Sequence, residues 1–486
     1  MISLDFSTYR FYENLAKMNL TNWRIQALFN LDLFEKASFP VRVKNNMELR
    51  MLIDTMQENR FESFMNELDG LTEDELEEFL HALKESYYFQ VNMFPHQKPI
   101  ISYDTVLHAL VIKNRLEQLK PEYKTLLEIG PGCGYFSFYL KHRECLKNYT
   151  AIEACESFYL LQNQVNQFCF GSQFEQKVPI PIEYVEPKIN KTFGINDETL
   201  IELDKNNFIS NKEEKRAFHL PWWKLGSLYE SKNVFDIIMS NSNLLEFSSG
   251  ALTYYLDLIQ NKLDKEGFFF VNGPGHHTSA TQREELGQLL FQADFAPIAI
   301  VSEVENLYDL KVIEKEIMDE DEVVFSPFTM QVKKFLYEEK DKLLKDKSVV
   351  IIDDYITHHD DFKEYKFIST SMLKQHKISS KKVIIGTRSQ NIYDTFETFF
   401  IERGFNILNL NDIVIQAKSF CMWTGIFINK KHELFEKYHK RELFRRPSFF
   451  ADEFEFKQLF EGDITQKRKK YSKIEIKQLL QKKLDK

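Results

Sequence analysis

The stretch that decides the fold is Leu126-Leu127-Glu128-Ile129-Gly130-Pro131-Gly132-Cys133-Gly134, followed by the amphipathic run Tyr135 to His142. It reads as strand, glycine loop, helix. Glycines let a chain turn sharply and bring backbone amides close to a ligand with no Cβ in the way. A helix beginning there directs its N-terminal amides and partial positive charge at whatever the loop holds.

Outward from that loop, short apolar runs alternate with helical ones. Strands are expected at 124–129, 149–153, 234–240 and 267–272, and the alternation predicts a parallel sheet. Residues 1–100 read as mainly helical. Thr72 and Glu75 form a capping box, with Leu76, Phe79, Leu80 and Leu83 on one stripe behind it. A further helix runs from Thr105 to Leu119 and is stopped by Pro121. A second α/β pattern starts at Ser348, with strands Val349 to Ile352, Lys382 to Ile385 and Phe405 to Leu410, and a helix over 391–403. The expected fold class is therefore α/β: a Rossmann-like domain with a helical N-terminal region and a second, smaller α/β domain. The expected division is a helical region at 1–100, the glycine-loop domain at 101–300, a connector at 301–345, the second domain at 346–430, and a helical basic tail at 431–486. Residues 171–217 form a polar insertion with Pro179, Pro181 and Pro187, long enough to be a lid or binding loop. The charge run Lys467 to Lys470 is expected to be a solvated face.

Two ligands compete for the loop. A dinucleotide site spaces its glycines G-x-G-x-x-G, and here the third place is Tyr135. The spacing acid-x-G-x-G-x-G is met in full by Glu128, Gly130, Gly132 and Gly134. In this the segment resembles the class I, Rossmann-like, S-adenosylmethionine-dependent methyltransferases. The resemblance implies a loop wrapped around the methionine part of S-adenosylmethionine. It also implies an acid at the end of the second strand to accept both ribose hydroxyls, and Glu153 stands there. A dinucleotide enzyme uses an acid at the same place, so Glu153 supports a ribose site without separating the two readings. Val234 to Asn241 resembles the superfamily's fourth strand, placing Ser240 and Asn241 at the cofactor pocket. The adenine-binding segment falls at Phe218 to Trp223, with His219 and Leu220 as its contacts. Trp222 and Trp223 could wall the adenine, stack on a sugar ring, or simply pack the lid. With its helical N-terminal region the arrangement is also similar to bacterial sugar O-methyltransferases.

The resemblance implies direct displacement at the sulfonium methyl, where alignment does most of the work. An oxygen acceptor must also lose its proton. His276 and His277, in the turn after the fifth strand, are candidate bases; Glu246 is the other, although Asn-Leu-Leu-Glu resembles a superfamily pattern whose Glu is not catalytic. No metal ligands are assigned, since His358-His359-Asp360-Asp361 reads as a polar loop far from the methyl site in sequence. Gly386 to Ser389 at a helix start could receive a phosphate, or be a plain strand-to-helix turn.

The net charge of −10 argues against a general nucleic-acid binder. No apolar run approaches the roughly 18 residues of a membrane span. Five scattered cysteines without a CxxC pair suit a reducing compartment, so a cytoplasmic location is expected. The expected activity is methyl transfer from S-adenosylmethionine to a small polar acceptor, with a sugar or nucleotide-linked sugar hydroxyl favoured. The alternatives are a methyltransferase acting on protein or another small molecule, and a cofactor-binding scaffold without activity. A homo-oligomer is left open.

Overall fold

The computed structural model describes residues 5–19, 40–56, 60–179, 215–247, 249–274, 283–359, 362–387, 390–439 and 467–485. Among the described residues five helices precede the first strand: α1 (Phe6–Asn19), α2 (Asn46–Thr55), α3 (Phe61–Glu67), α4 (Glu73–Met93) and α5 (Tyr103–Leu119). The capping box at the start of α4 is formed as the sequence suggests: Glu75 N donates to Thr72 Oγ1 at 3.2 Å, and Thr72 N donates to Glu75 Oε2 at 2.8 Å. Phe79, Leu80 and Leu83 are buried behind it.

The chain then builds β1 (Thr125–Ile129), α6 (Ser137–Leu140), β2 (Asn148–Glu153), α7 (Glu156–Phe170), β3 (Phe174–Gln176), β4 (Arg216–Pro221), β5 (Phe235–Asn241), β6 (Leu263–Pro274) and β7 (Phe295–Tyr308). It leaves this sheet to make a second one from β8 (Glu322–Ser326), β9 (Ser348–Ile352), β10 (Lys366–Ile368), β11 (Lys382–Ile385) and β12 (Asn406–Asn409). It returns to the first sheet as β13 (Val414–Asn429). The first sheet has the order β3-β4-β2-β1-β5-β6-β13-β7, and the second the order β10-β9-β8-β11-β12. In the first, β13 runs antiparallel to both β6 and β7 while the other pairings are parallel. β1 and β2 are covered on both faces, which is why they read as continuous apolar runs.

The second unit is a parallel sheet with its core on two faces. Val323, Phe325, Val349 and Ile351 point to one side, and Val324, Val350 and Ile352 to the other. That alternation is the period of a strand. Phe396 and Phe399 of the helix Gln390–Ile401 pack against the latter side.

The expected domain division therefore shifts. The boundary at 300 cuts β7, and the expected connector at 301–345 contains β8 of the second sheet. The expected C-terminal domain at 346–430 ends in β13, a strand of the first sheet. The smaller unit is thus an insertion between two neighbouring strands of the larger. Its two ends meet: Tyr308 pairs with Val414, and Asp309 N donates to Ile413 O at 2.8 Å. The expected lid at 171–217 lies for the most part outside the described residues.

In the basic run Lys467, Lys469 and Lys470 are exposed, as a solvated face expects, while Arg468 is half-buried and docked. Arg468 donates to Leu68 O, Gly70 O and Glu75 Oε1, and Leu71 pairs with Lys469 in a β-bridge. The terminal helix (Lys473–Leu484) buries Ile476 and Leu480 in the main core. The apolar stripe decides its position and the charges follow the stripe onto an acidic neighbour.

Candidate functional site

β1 ends on Ile129 and the chain turns back through Gly130, Gly132 and Gly134, with φ of 65°, 58° and 74°. Two of these positions are informative. A Cβ on Gly130 would stand 2.0 Å from Asn243 Nδ2, whereas one on Gly132 would meet nothing within 4 Å. The loop is therefore clamped on one side and open on the other. The clamp is Asn243, whose amide donates to Ile129 O and, at 3.1 Å, to Gly130 O, while Ser240 Oγ donates to Asn243 Oδ1 at 2.5 Å. The loops after β1 and β5 are thereby tied together, at the point where the strand order reverses. Ligand crevices of open α/β sheets form outside the strand ends at such a point.

Glu153 ends β2 beside the loop. Its Oε1 accepts the amides of Ala154 and Cys155 at 2.8 and 2.9 Å, and its Oε2 accepts Gln162 Nε2 at 2.9 Å. Gln162 also donates to Gly132 O at 2.5 Å, so one side chain joins the acid to the glycine loop. Burial pushes the Glu153 carboxyl up to about 6, against the lowering effect of those donors. Glu128 is also buried; desolvation raises it to about 7, while the Tyr149 hydroxyl, donating at 2.6 Å, pulls it down and the charge of Glu153 pushes it up. Glu246, in a short helical turn after β5, is raised to about 8 by burial and then by Glu153. Three carboxyl groups thus stand around one loop, with Glu153 in electrostatic contact with the other two.

The remaining expected residues fall in different places. Asn241 is half-buried at the end of β5, in register with Asn272 of β6. Leu220 and His219 are fully buried. The His219 ring stacks on Tyr159 with centroids 3.9 Å apart, and its Nδ1 is 3.0 Å from Asn163 Oδ1. Burial lowers its pKa to about 3, so it is a neutral core histidine. His276 and His277 lie outside the described residues, as do Asp360, Asp361, Arg388 and Ser389. Trp222 and Trp223 are buried too: Trp222 Nε1 donates to Glu13 Oε1 at 3.4 Å, and Trp223 packs on Tyr9 of α1 and donates to Val178 O at 3.1 Å. Neither ring offers a face to an incoming sugar.

Sequence reasoning missed Asn243 and Gln162. Asn243 sits in the Asn-Leu-Leu-Glu run already singled out, one turn from Ser240. Gln162 carries no local signal, since only the packing of α7 brings it to the loop. Two buried oxygens here, Gln162 Oε1 and Asn272 Oδ1, have no partner among the described residues. The N-terminal segment covers α7. Glu156, buried, pairs with Arg10 and Arg42 at 2.6 Å each, and Arg42 also meets Glu13 at 2.8 Å.

The sheet order β4-β2-β1-β5-β6-β13-β7 departs from an all-parallel dinucleotide-binding sheet by its one antiparallel strand, inserted next to the edge. This is a Rossmann-like α/β fold with one antiparallel strand. No known family profile matches the sequence, and no curated protein matches it. Solved structures do. An O-methyltransferase from a trans-AT PKS multienzyme of Brevibacillus brevis, with S-adenosyl-L-homocysteine, is 10% identical, covering 79% of this chain and 94% of that one at a TM-score of 0.31. Phosphoethanolamine N-methyltransferase 2 of Haemonchus contortus, with S-adenosyl-L-methionine, is 12% identical over 65% of this chain, at a TM-score of 0.26. The chain spans 52% of that protein, about half its length. An amino pentose methyltransferase from Micromonospora echinaspora is 9% identical, covering 40% of this chain and 84% of that one at a TM-score of 0.24. Likeness at this level fixes neither activity nor acceptor. Among the described residues no helix is long and apolar enough to cross a membrane.

Proposed function

We propose that this chain is an S-adenosylmethionine-dependent methyltransferase acting on a small polar acceptor. The observation that carries the reading is the sign of the site. Glu128, Glu153 and Glu246 crowd the glycine loop, and each already resists ionisation. A diphosphate placed there would meet the Glu153 carboxylate and hold the other two carboxyls protonated, whereas a sulfonium and an ammonium would favour the ionised form of all three. The glycine spacing says the same.

The residues fit such a cofactor. The open side of Gly132 leaves room for the methionine part against the loop backbone. Glu153 would accept the ribose hydroxyls, and the end of β4 at Leu220, in register with Ile152, would border the adenine. Gln162 Oε1 and Asn272 Oδ1 are acceptors in search of donors. Ser240 and Asn241 would line the pocket from β5. Bound there, S-adenosylmethionine would supply an electrophilic methyl group.

Glu246 keeps its proton at neutral pH in the ligand-free protein. A cation beside it lowers its pKa and makes it a proton acceptor for a hydroxyl nucleophile. His276 and His277 are the other candidate bases. The sugar or nucleotide-linked sugar acceptor rests on the sequence resemblance. Incubation with methyl-labelled S-adenosylmethionine and a panel of sugars, nucleotide-linked sugars and peptides tests the reading. Label is expected on a sugar oxygen. Label on peptides alone would overturn the acceptor class, and cofactor binding without transfer to anything would favour a scaffold.

A further inference from the structure

We propose that His81, Glu85 and His142 form a divalent transition-metal site that staples the helical N-terminal region to the glycine-loop helix. His81 and Glu85 are four residues apart on α4 and so share one face. His142 follows α6, the helix that opens directly after the glycine loop, and α4 packs against α6. His81 Nε2 lies 3.3 Å from Glu85 Oε1, and His142 Nε2 lies 3.5 Å from Glu85 Oε2. All three ligand atoms fall within 4.8 Å of one another, and the imidazole centroids are 5.0 Å apart, edge to face.

These lengths suit a metal polyhedron. Zinc–nitrogen and zinc–oxygen bonds of about 2.0–2.2 Å in a tetrahedron set donor–donor edges of about 3.3–3.5 Å. Each imidazole nitrogen already stands at that length from one of the two Glu85 oxygens, so a single oxygen makes one such edge and a small turn of the carboxylate makes the second. The third closes by rotation of two rings that are each half exposed, at 50% and 52%. Water would complete the fourth position. Two imidazoles and one carboxylate select zinc, cobalt, nickel or copper over magnesium and calcium, which prefer oxygen. The Lys141 ammonium also contacts Glu85 and is the group a metal would displace. The site joins two elements of different parts of the chain, so an ion there restrains α6 and, through it, the end of the loop at Gly134. A cluster of this kind was not legible in sequence, because only the packing of α4 on α6 brings His142 to the other two.

The test uses tag-free, chelator-treated full-length protein titrated with Zn²⁺ alone, with Mg²⁺ as the control ion, read by calorimetry and by thermal melting. One equivalent of Zn²⁺ is expected to bind and raise the melting temperature, with no response to Mg²⁺. His142→Ala and, separately, His81→Ala should each weaken binding by more than about 100-fold, since loss of even an outer-shell partner costs 10–100-fold. Both side chains are half exposed, so the variants should melt normally without metal. Co²⁺ should give the absorption of a nitrogen–oxygen site without a thiolate charge-transfer band. Absence of saturable Zn²⁺ binding, or binding that neither substitution weakens, overturns the proposal, and a thiolate band would move the ion to the cysteines.

Discussion

Replacing Glu153 by Ala removes the acceptor proposed for the ribose. In the ligand-free protein Oε1 is already taken by two backbone amides and Oε2 by Gln162. Ribose hydroxyls must therefore share these oxygens. The loss is that of one good hydrogen bond to a charged group, about 1.5–3 kcal/mol, and not twice that. In affinity this is a fall of roughly 10- to 150-fold. Calorimetry with S-adenosylhomocysteine, above neutral pH, measures it directly. Glu153→Gln keeps the volume and one acceptor oxygen and is expected to fall between wild type and Ala. The carboxyl titrates near 6. Its ionised form is the better acceptor, so this contribution to wild-type affinity should fade as pH drops through that value, and should not in Glu153→Gln. A folded Glu153→Ala protein with unchanged affinity would falsify the ribose assignment.

Other outcomes follow from the same structure. Glu246 has its pKa raised from 4.5 to about 8, so the folded protein holds the proton more tightly than the unfolded chain. Its ionisation therefore costs stability as pH rises from about 4.5, and the cost is complete above 8. Glu246→Gln should melt higher than wild type at alkaline pH and equally at low pH; no difference at either pH would refute its burial as an acid. If Glu246 is the base, the same variant should lose turnover while still binding cofactor. Excision of residues 310–413 with a short glycine turn in their place should leave a folded sheet, because Tyr308 and Val414 already pair as a hairpin would. Truncation after residue 413 should instead abolish folding, since it removes β13 from between β6 and β7. Circular dichroism and melting of the two proteins separate the cases, and a stable truncated protein would contradict the topology.

The parts of the fold legible in sequence were those with local signatures. The glycine loop, the strands at 125–129, 148–153 and 235–241, and the capping box at Thr72 each announce themselves within a few residues. The insertion did not, because no local feature of 414–429 says which sheet it joins, and its partners Phe295–Tyr308 lie beyond a whole α/β unit. The same holds for the site. Glu128, the glycines and Glu153 follow from spacing, whereas Gln162 and the clamp at Asn243 depend on how α7 and the loop after β5 pack. His219 is the opposite case: the right segment, yet a side chain turned into the core against Tyr159.

The central claim is that this loop holds a cationic, ribose-bearing cofactor and not a dinucleotide diphosphate. The most direct measurement is parallel calorimetric titration of the full chain with S-adenosylmethionine and with a nicotinamide dinucleotide, repeated on Gly132→Val. A branched side chain at Gly132 would occupy the side of the loop where the protein itself places nothing. Saturable binding of S-adenosylmethionine alone, abolished in the Gly132→Val protein, is the expected result. Binding of the dinucleotide in its place, or equal affinity for S-adenosylmethionine in both proteins, would contradict the account.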